Sequence, residues 1–314
     1  MAKKKIIAID NGKMNMKVTD GTNEYCYLNK YSKVFTDDEN LLGADTFNVT
    51  YRGQNYTIGA NASTSDKNEG KASEPHIVQA LTAITRFIEP ECKEDLYVMY
   101  GESIDMYFNN THKIEIKTKL EGKHTIYVNG VGYTFNIEYV QILPEGIGEI
   151  LQDLEKYDGV QYVVDIGGGT INFLKTINGR PDSDVSSSHL LGVNNIISKV
   201  QKELKRTGYG RHEQDALRQY LITRKCPTMS VLNKADEIIL EQLAKLDEEL
   251  AVNDINIHNI LKVHPVIFVG GGSDLLKFHI NKYYKSDVVD NLVVDNALMA
   301  NVRGFYEYGL AKFQ

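Results

Sequence analysis

Twice in this chain an apolar run ends on an aspartate, opens into a glycine loop and resumes as a second apolar run. The first copy is KKKIIAIDNGKMNMKVTDGTNEYCYL, with Asp10, Gly12 and an Asp20-Gly21 pair. The second is QYVVDIGGGTINFLKTINGRPDSDVSS, with Asp165, Gly167 to Gly169 and an Asn178-Gly179 pair. Short apolar runs joined by Asp-Gly or Asn-Gly read as strands of a meander, here over 5–9 and 14–19 in the first copy and 161–164 and 171–176 in the second. The two aspartates stand 155 positions apart. An echo at that range implies two related domains rather than a short-period solenoid.

Each module feeds helical material. Val193, Ile196, Ile197, Val200 and Leu204 recur at helical spacing after the second. In GIGEILQDLEKY, Ile147, Ile150, Leu151 and Leu154 do the same and predict a helix that ends where the second module begins. A third helix is predicted over about 231–250, with Ile238, Ile239, Leu243, Leu246 and Leu250 on its apolar side. Between roughly 30 and 75 the chain is polar, rich in Gly and Asn, and carries weak strands such as FNVTYRGQNYTIG; it reads as a small subdomain inserted into the first domain. Near the end, HPVIFVGGGSDLLKFHI runs a buried-strand pattern through Gly270, Gly271 and Gly272 into a helix, a geometry in which backbone N–H groups lie open to a phosphate.

Composition narrows the function. A net charge of −7 over 314 residues argues against a chain that coats nucleic acid or anionic membrane by itself, so contact with DNA is expected only through another protein. The start MAKKKIIAID lacks a signal-peptide core, and no run of about 18 apolar residues occurs, which predicts a cytoplasmic protein. Cys26, Cys92 and Cys226 are odd in number and widely spaced, suiting neither a disulfide framework nor a zinc site. The Asn-x-Ser/Thr sequons at Asn48, Asn55, Asn61 and Asn109 read as chance. No HExxH occurs among the eight histidines, of which His258 and His264 are the closest pair.

Neither GxxxxGK[ST] nor a strand leading into GxGxxG is present, so the three glycine sites are weighed together. Asp10 and Asp165 each follow an apolar strand, where an ionised carboxylate is costly unless it meets a cation or donors. Two such carboxylates on one cleft would repel each other and repel phosphates. A Mg2+ ion held by both, while it bridges phosphate oxygens, resolves the two conflicts. Gly12 and Gly167 to Gly169 would let backbone amides approach a β- and a γ-phosphate, with Lys17 as a compact positive charge. The plainer readings are a solvated strand-edge Lys17, a β-branched strand residue in Thr170 and tight turns at the glycines.

In chain order, IAIDNGKMNMKV, ILPEGIGEIL, YVVDIGGGTINFL, PVIFVGGGSDLL and NALMANVRGFYEYG resemble the five signature segments of the actin-like ATPase superfamily: first phosphate loop, first connecting helix, second phosphate loop, adenosine segment and second connecting helix. Together YTFNIEYVQILPEGIGEIL, VVDIGGGTINFL and SSSHLLGVNNIISKV resemble the ParM/StbA branch, the plasmid-partitioning actins. The resemblance implies an α/β actin-like fold of two ribonuclease-H-like domains flanking a nucleotide cleft. Domain I would span 1–158, with the insertion at about 30–75 and residues 303–314 packing back on it; domain II would span 159–302. It implies ATP, or GTP, with Mg2+ on Asp10 and Asp165. Nucleotide contacts would come from Asn11, Gly12, Lys13, Asn15 and Lys17, from Gly167, Gly168, Gly169 and Thr170, and from Gly192, Gly270, Gly271, Gly272 and Ser273.

Catalysis would fall to Glu145, Asp165 and Asp10, with Glu145 orienting or deprotonating the water that attacks the γ-phosphate. A carboxylate after Pro144 at a helix start also has a simpler use, stabilising the helix by about 0.3 to 1 kcal/mol. Lys13 and Met14 stand where actins have small residues, so the γ-phosphate side is expected to differ in shape. The implied function is a self-assembling filament that segregates plasmid DNA through a ParR-like centromere-binding adaptor, with no direct nucleic-acid or membrane contact. Alternatives on the same fold are a sugar-type kinase, for which no second acidic loop is evident, another bacterial actin-like filament protein, and a chaperone-type ATPase, which is expected to carry a substrate-binding domain after YEYG. A nucleotide-binding scaffold without hydrolysis is a fourth, against which Asp10, Glu145 and Asp165 weigh.

Overall fold

Strand β1 (Lys4–Asn11) is apolar on both faces, as a strand covered on both sides must be, and Ile6 to Ile9 are all buried. The computed structural model to which it belongs describes residues 4–35, 45–62, 70–286 and 291–313. β1 pairs antiparallel with β2 (Asn15–Thr19), which pairs with β3 (Glu24–Leu28). On its other side β1 runs parallel to β7 (Glu91–Glu102), which runs parallel to β9 (Val131–Pro144). β8 (Gly122–Val128) forms a hairpin with β9.

The sheet continues through β5 (Thr46–Tyr51) and β6 (Gln54–Gly59) to β4 (Tyr31–Ser32), nine strands among the described residues in the order β3-β2-β1-β7-β9-β8-β5-β6-β4. The stretch read from sequence as an insertion therefore adds edge strands to this sheet. Phe47, Val49, Tyr51, Tyr56 and Ile58 share one core with Ile7 and Ile9. Residues 36–44 and 63–69 of that expected insertion lie outside the described residues. Helices α1 (Glu74–Ile84), α2 (Ile104–Tyr107) and α3 (Asn110–Leu120) belong to the same unit; α1 has Pro75 in its first turn and buries Ile77, Val78, Leu81 and Ile84.

Helix α4 (Gly148–Gln152) is shorter than its apolar spacing predicts. Asp153 ends it: its Oδ1 accepts the Lys156 N–H and its carbonyl accepts the Tyr157 N–H, a local turn that competes with the helix. Leu154, expected on the buried face, is 52% exposed. α10 (Ala300–Phe313) crosses α4 where Gly304 meets Gly148, and a Cβ on Gly304 would overlap the Gly148 backbone. Residues 1–152 and 301–314 form one compact unit and 153–300 a second.

In the second unit β10 (Val160–Ile166) pairs antiparallel with β11 (Ile171–Ile177) across the loop 167–170, and parallel with β14 (Val266–Val269). β12 (Arg180–Pro181) and β13 (Ser187–His189) pair with β11. The strand, loop and antiparallel strand of β1–β2 thus recur in β10–β11. Helices α5 (Val193–Arg206), α6 (Gln214–Thr223), α7 (Met229–Ala251), α8 (Ile257–Ile260) and α9 (Gly271–Tyr283) complete the unit. The predicted apolar faces of α5 and α7 are buried, and each fully buried Ile, Val or Leu among them contributes about 1.5 to 3 kcal/mol.

Candidate functional site

Asp10 lies inside the ladder rather than beyond its strand, directly opposite Lys17 on β2. Opposite residues of an antiparallel pair share a face, and Lys17 Nζ sits 2.6 Å from Asp10 Oδ2 with both residues buried. Burial by itself would raise the Asp10 carboxyl; the charges of Lys17 and Lys71 and hydrogen bonds from Lys17 and Asn301 outweigh it and hold the carboxyl below its usual range. Lys17 is thus the counter-ion of Asp10, not a solvated strand-edge lysine. A Cβ on Gly12 would come 2.9 Å from the Asn15 carbonyl oxygen, closer than side chains ordinarily stand, so this turn position is held to glycine beside the pair.

The loop between β1 and β2 is held from behind by Asn29, which the sequence did not point to. Its Nδ2 donates to Asn11 Oδ1 at 2.6 Å and to the Gly12 carbonyl at 2.7 Å, and its N–H donates to the Met14 carbonyl at 2.8 Å. In a trans peptide the C=O and the following N–H point opposite ways. With the Gly12 and Met14 carbonyls turned to Asn29, the N–H groups of Lys13 and Asn15 face away from it. These two partly exposed residues therefore offer backbone donors. The Asn11 side chain is fully buried, donates to the His76 carbonyl and to Tyr100 Oη, and accepts from Asn29, so it anchors the loop.

Glu145 follows the last residue of β9 and precedes α4 by a turn through Gly146 at φ +92°, so it stands at a strand end and not in a helix. Its Oε1 accepts from Lys71 Nζ at 2.5 Å, and Lys71 also donates to the Gly101 carbonyl at 2.8 Å. Burial would lower the Lys71 ammonium, but Glu145, Glu102 and Asp10 raise it well above the usual lysine range. Glu102, at the end of β7, is buried; that burial is outweighed by His112, Lys71 and the Ser103 N–H, and its carboxyl is held low. His112 Nε2 lies 3.0 Å from Glu102 Oε2. Asn301 Oδ1 accepts the Gly146 N–H at 2.9 Å.

In the second unit Asp165 is again inside the ladder, opposite Asn172 and beside Val269 of β14. It is 4% exposed, and a Cβ on Gly270 would overlap its Oδ1, so the positive-φ glycine lets the β14–α9 turn pass over the carboxylate. The loop 167–170 is closed by Gly167 N–H to the Thr170 carbonyl. Its carbonyls at Gly167, Gly168 and Gly169 accept the N–H groups of Val193, Asn194 and Gly192 at 2.9, 3.0 and 3.3 Å. By the same trans geometry the N–H groups of Gly168, Gly169 and Thr170 are turned away from α5, toward the partly exposed side of the loop. Successive amides turned one way make an anion-binding concavity.

Three of the expected contact residues are held to glycine by close packing. Gly192 lies behind the loop, where a Cβ would overlap the backbone of Gly169 and Thr170. Gly272 packs against Ile166, and a Cβ on Gly271 would come 2.8 Å from Leu298 Cδ1. Ser273 departs from expectation: it is fully buried and its Oγ donates to the Val269 carbonyl at 2.6 Å, which removes the hydroxyl from ligand contact. Among the described residues no cluster of three or more His, Cys, Asp or Glu forms a ready metal cage, and no helix is long and apolar enough to cross a membrane.

Residues 8–148 match the family described as actin like proteins N terminal domain. Among solved structures, an archaeal actin homolog, Ta0583, aligns at a TM-score of 0.78 with 19% identity over 98% of this chain and 100% of that one. The same homolog in complex with ADP aligns at 0.74 with 17% identity over 98% and 99%. A ParM from Clostridium botulinum, solved as a 15-stranded filament, aligns at 0.72 with 16% identity over 98% and 99%. No curated protein sequence matches the chain. At these identities the structural likeness speaks for the fold, and it bears out the resemblance read from the five segments. By fold the chain is actin-like, and over residues 8–148 its sequence matches the N-terminal domain family of the actin-like proteins.

Proposed function

We propose that the chain is a cytoplasmic, ATP-dependent, filament-forming protein that segregates plasmid DNA through a DNA-bound adaptor, with hydrolysis driving filament turnover. The observation that carries the nucleotide part is the set of Gly168, Gly169 and Thr170 N–H groups turned to one side beside Asp165. These amides bind phosphate oxygens, and the Lys13 and Asn15 amides of the first unit do the same. Lys17 keeps Asp10 ionised and ready. Asp10 suits a divalent ion, being a buried carboxylate held in its charged form beside a glycine turn; Mg2+ needs only one or two carboxylates beside phosphate and water. Asp10 and Asp165 would hold it, and when bound it neutralises phosphate charge. Glu145 orients the attacking water, a task that needs one fixed acceptor. The ADP complex of the archaeal homolog supports the nucleotide, and the ParM filament supports self-assembly. The net charge of −7 favours an adaptor over direct DNA contact.

Light scattering followed together with phosphate release tests the proposal, with ATP or GTP added in Mg2+. Rising scatter followed by phosphate release is expected. Phosphate transfer to a sugar without scatter would overturn the filament reading in favour of a kinase.

A further inference from the structure

We propose that Lys71 is the positioning residue for Glu145, holding the carboxylate by one oxygen in the orientation that the attacking water meets; this rests on the hydrolytic role given to Glu145 above. Lys71 lies in the polar stretch GKASEP, two residues before the Ser73 cap of α1, and reaches 74 positions along the sequence to Glu145. Three observations set it apart from an ordinary ion pair. The ammonium is buried, with a side chain 10% exposed, so the pair is not screened by solvent. A second bond, 2.8 Å to the Gly101 carbonyl, fixes the nitrogen against β7 and so fixes where Glu145 Oε1 must sit. The acids that face it are Glu145, Glu102 and Asp10, with the Tyr100 ring centroid 5.9 Å away, so this one cation stands among the proposed metal ligand, the proposed water-orienting carboxylate and the Glu102–His112 pair.

An ammonium so placed does work that geometry alone demands. The bond from Lys71 Nζ, itself held by the Gly101 carbonyl, sets the direction of one Glu145 oxygen. With it the carboxylate is confined, and confinement within a few tenths of an ångström is what water-orienting catalysis needs. Lys71 acts through Glu145 and touches no reacting atom.

A double-mutant cycle on the full chain tests this, with Lys71→Met, Glu145→Gln and the pair measured for phosphate release, KM for ATP and melting by circular dichroism. Lys71→Met is expected to lower kcat about tenfold with KM moved less than about twofold, and to have no further effect in the Glu145→Gln background. Lys71→Arg, which keeps a cation, is expected to restore most of the rate. An equal loss of kcat in both backgrounds, an unchanged kcat, or a Lys71→Arg rate as low as that of Lys71→Met would each overturn the assignment. A wild-type chain that binds ATP yet releases no phosphate would instead overturn the reading of Glu145 itself, and this inference with it.

Discussion

Lys17 Nζ and Asp10 Oδ2 meet at 2.6 Å from directly opposite ladder positions, with both residues nine-tenths or more buried. Removing one partner of such a pair leaves an uncompensated buried charge, which costs about 3 to 5 kcal/mol. Lys17→Met is therefore expected to lower the urea midpoint sharply, and the double variant Asp10→Asn with Lys17→Met to recover part of the loss. Equal destabilisation of single and double variants would show that the charges do not depend on each other.

The His112–Glu102 contact gives stability a pH dependence of known sign. The Glu102 hydrogen bond is the main influence raising the His112 imidazole, with Glu102 and Glu115 charges adding to it and burial and Lys71 opposing. A group raised on folding adds stability that is fully present below its unfolded value, about 6.5, and is lost as pH rises through the folded one. The gap in urea midpoint between wild type and His112→Gln is expected to be larger at pH 6 than at pH 8. A gap that widens toward pH 8 would reverse the assignment.

Gly192 supports the loop 167–170 from behind. A Cβ there would overlap the backbone of Gly169 and Thr170, so Gly192→Ala must move the loop whose amides face the proposed phosphates. Nucleotide affinity, read by isothermal titration, is expected to fall about tenfold or more, roughly the 1.4 kcal/mol of one misplaced hydrogen bond. Unchanged affinity would remove those amides from the site.

Gly304 is held to glycine by contact with the Gly148 backbone. Backbone cannot yield as a flexible side chain does, so Gly304→Val is expected to destabilise the unit by about 1 to 3 kcal/mol or more. Differential scanning calorimetry reads this as a lowered transition; a melting curve equal to wild type would mean that α4 and α10 part without cost.

Much of the fold was legible because its signals are local. The two strand–loop–strand modules and the apolar faces of α5 and α7 follow from periodicity within short windows. The helix after Ile147 was misjudged because the Asp153 side chain, not apolar spacing, decides where α4 stops. Asp10, Gly12, Glu145 and Gly167 to Gly169 carry signals legible in the sequence, while Asn29, Lys71, Glu102 and Asn301 do not. These are polar residues buried by partners far along the chain, such as Lys71 with Glu145 and Asn301 with Gly146, and no window of sequence holds both ends. Asn11 and Ser273 show a related limit: spacing places a residue in a loop but not the direction its side chain takes.

The first unit is discontinuous, and this orders events on the ribosome. Residues 153–300 leave as one uninterrupted stretch, while the earlier 152 residues still wait for α10. In a nascent chain paused before residue 301, Gly146 has no Asn301 oxygen to bond, Asp10 lacks that same donor, and Ile6 and Met99 lack the helix that carries Gly309 against them. Translation must run past Asn301 before Asp10 and Gly146 gain that partner, so the surroundings of the β1–β2 loop are completed by the last residues made.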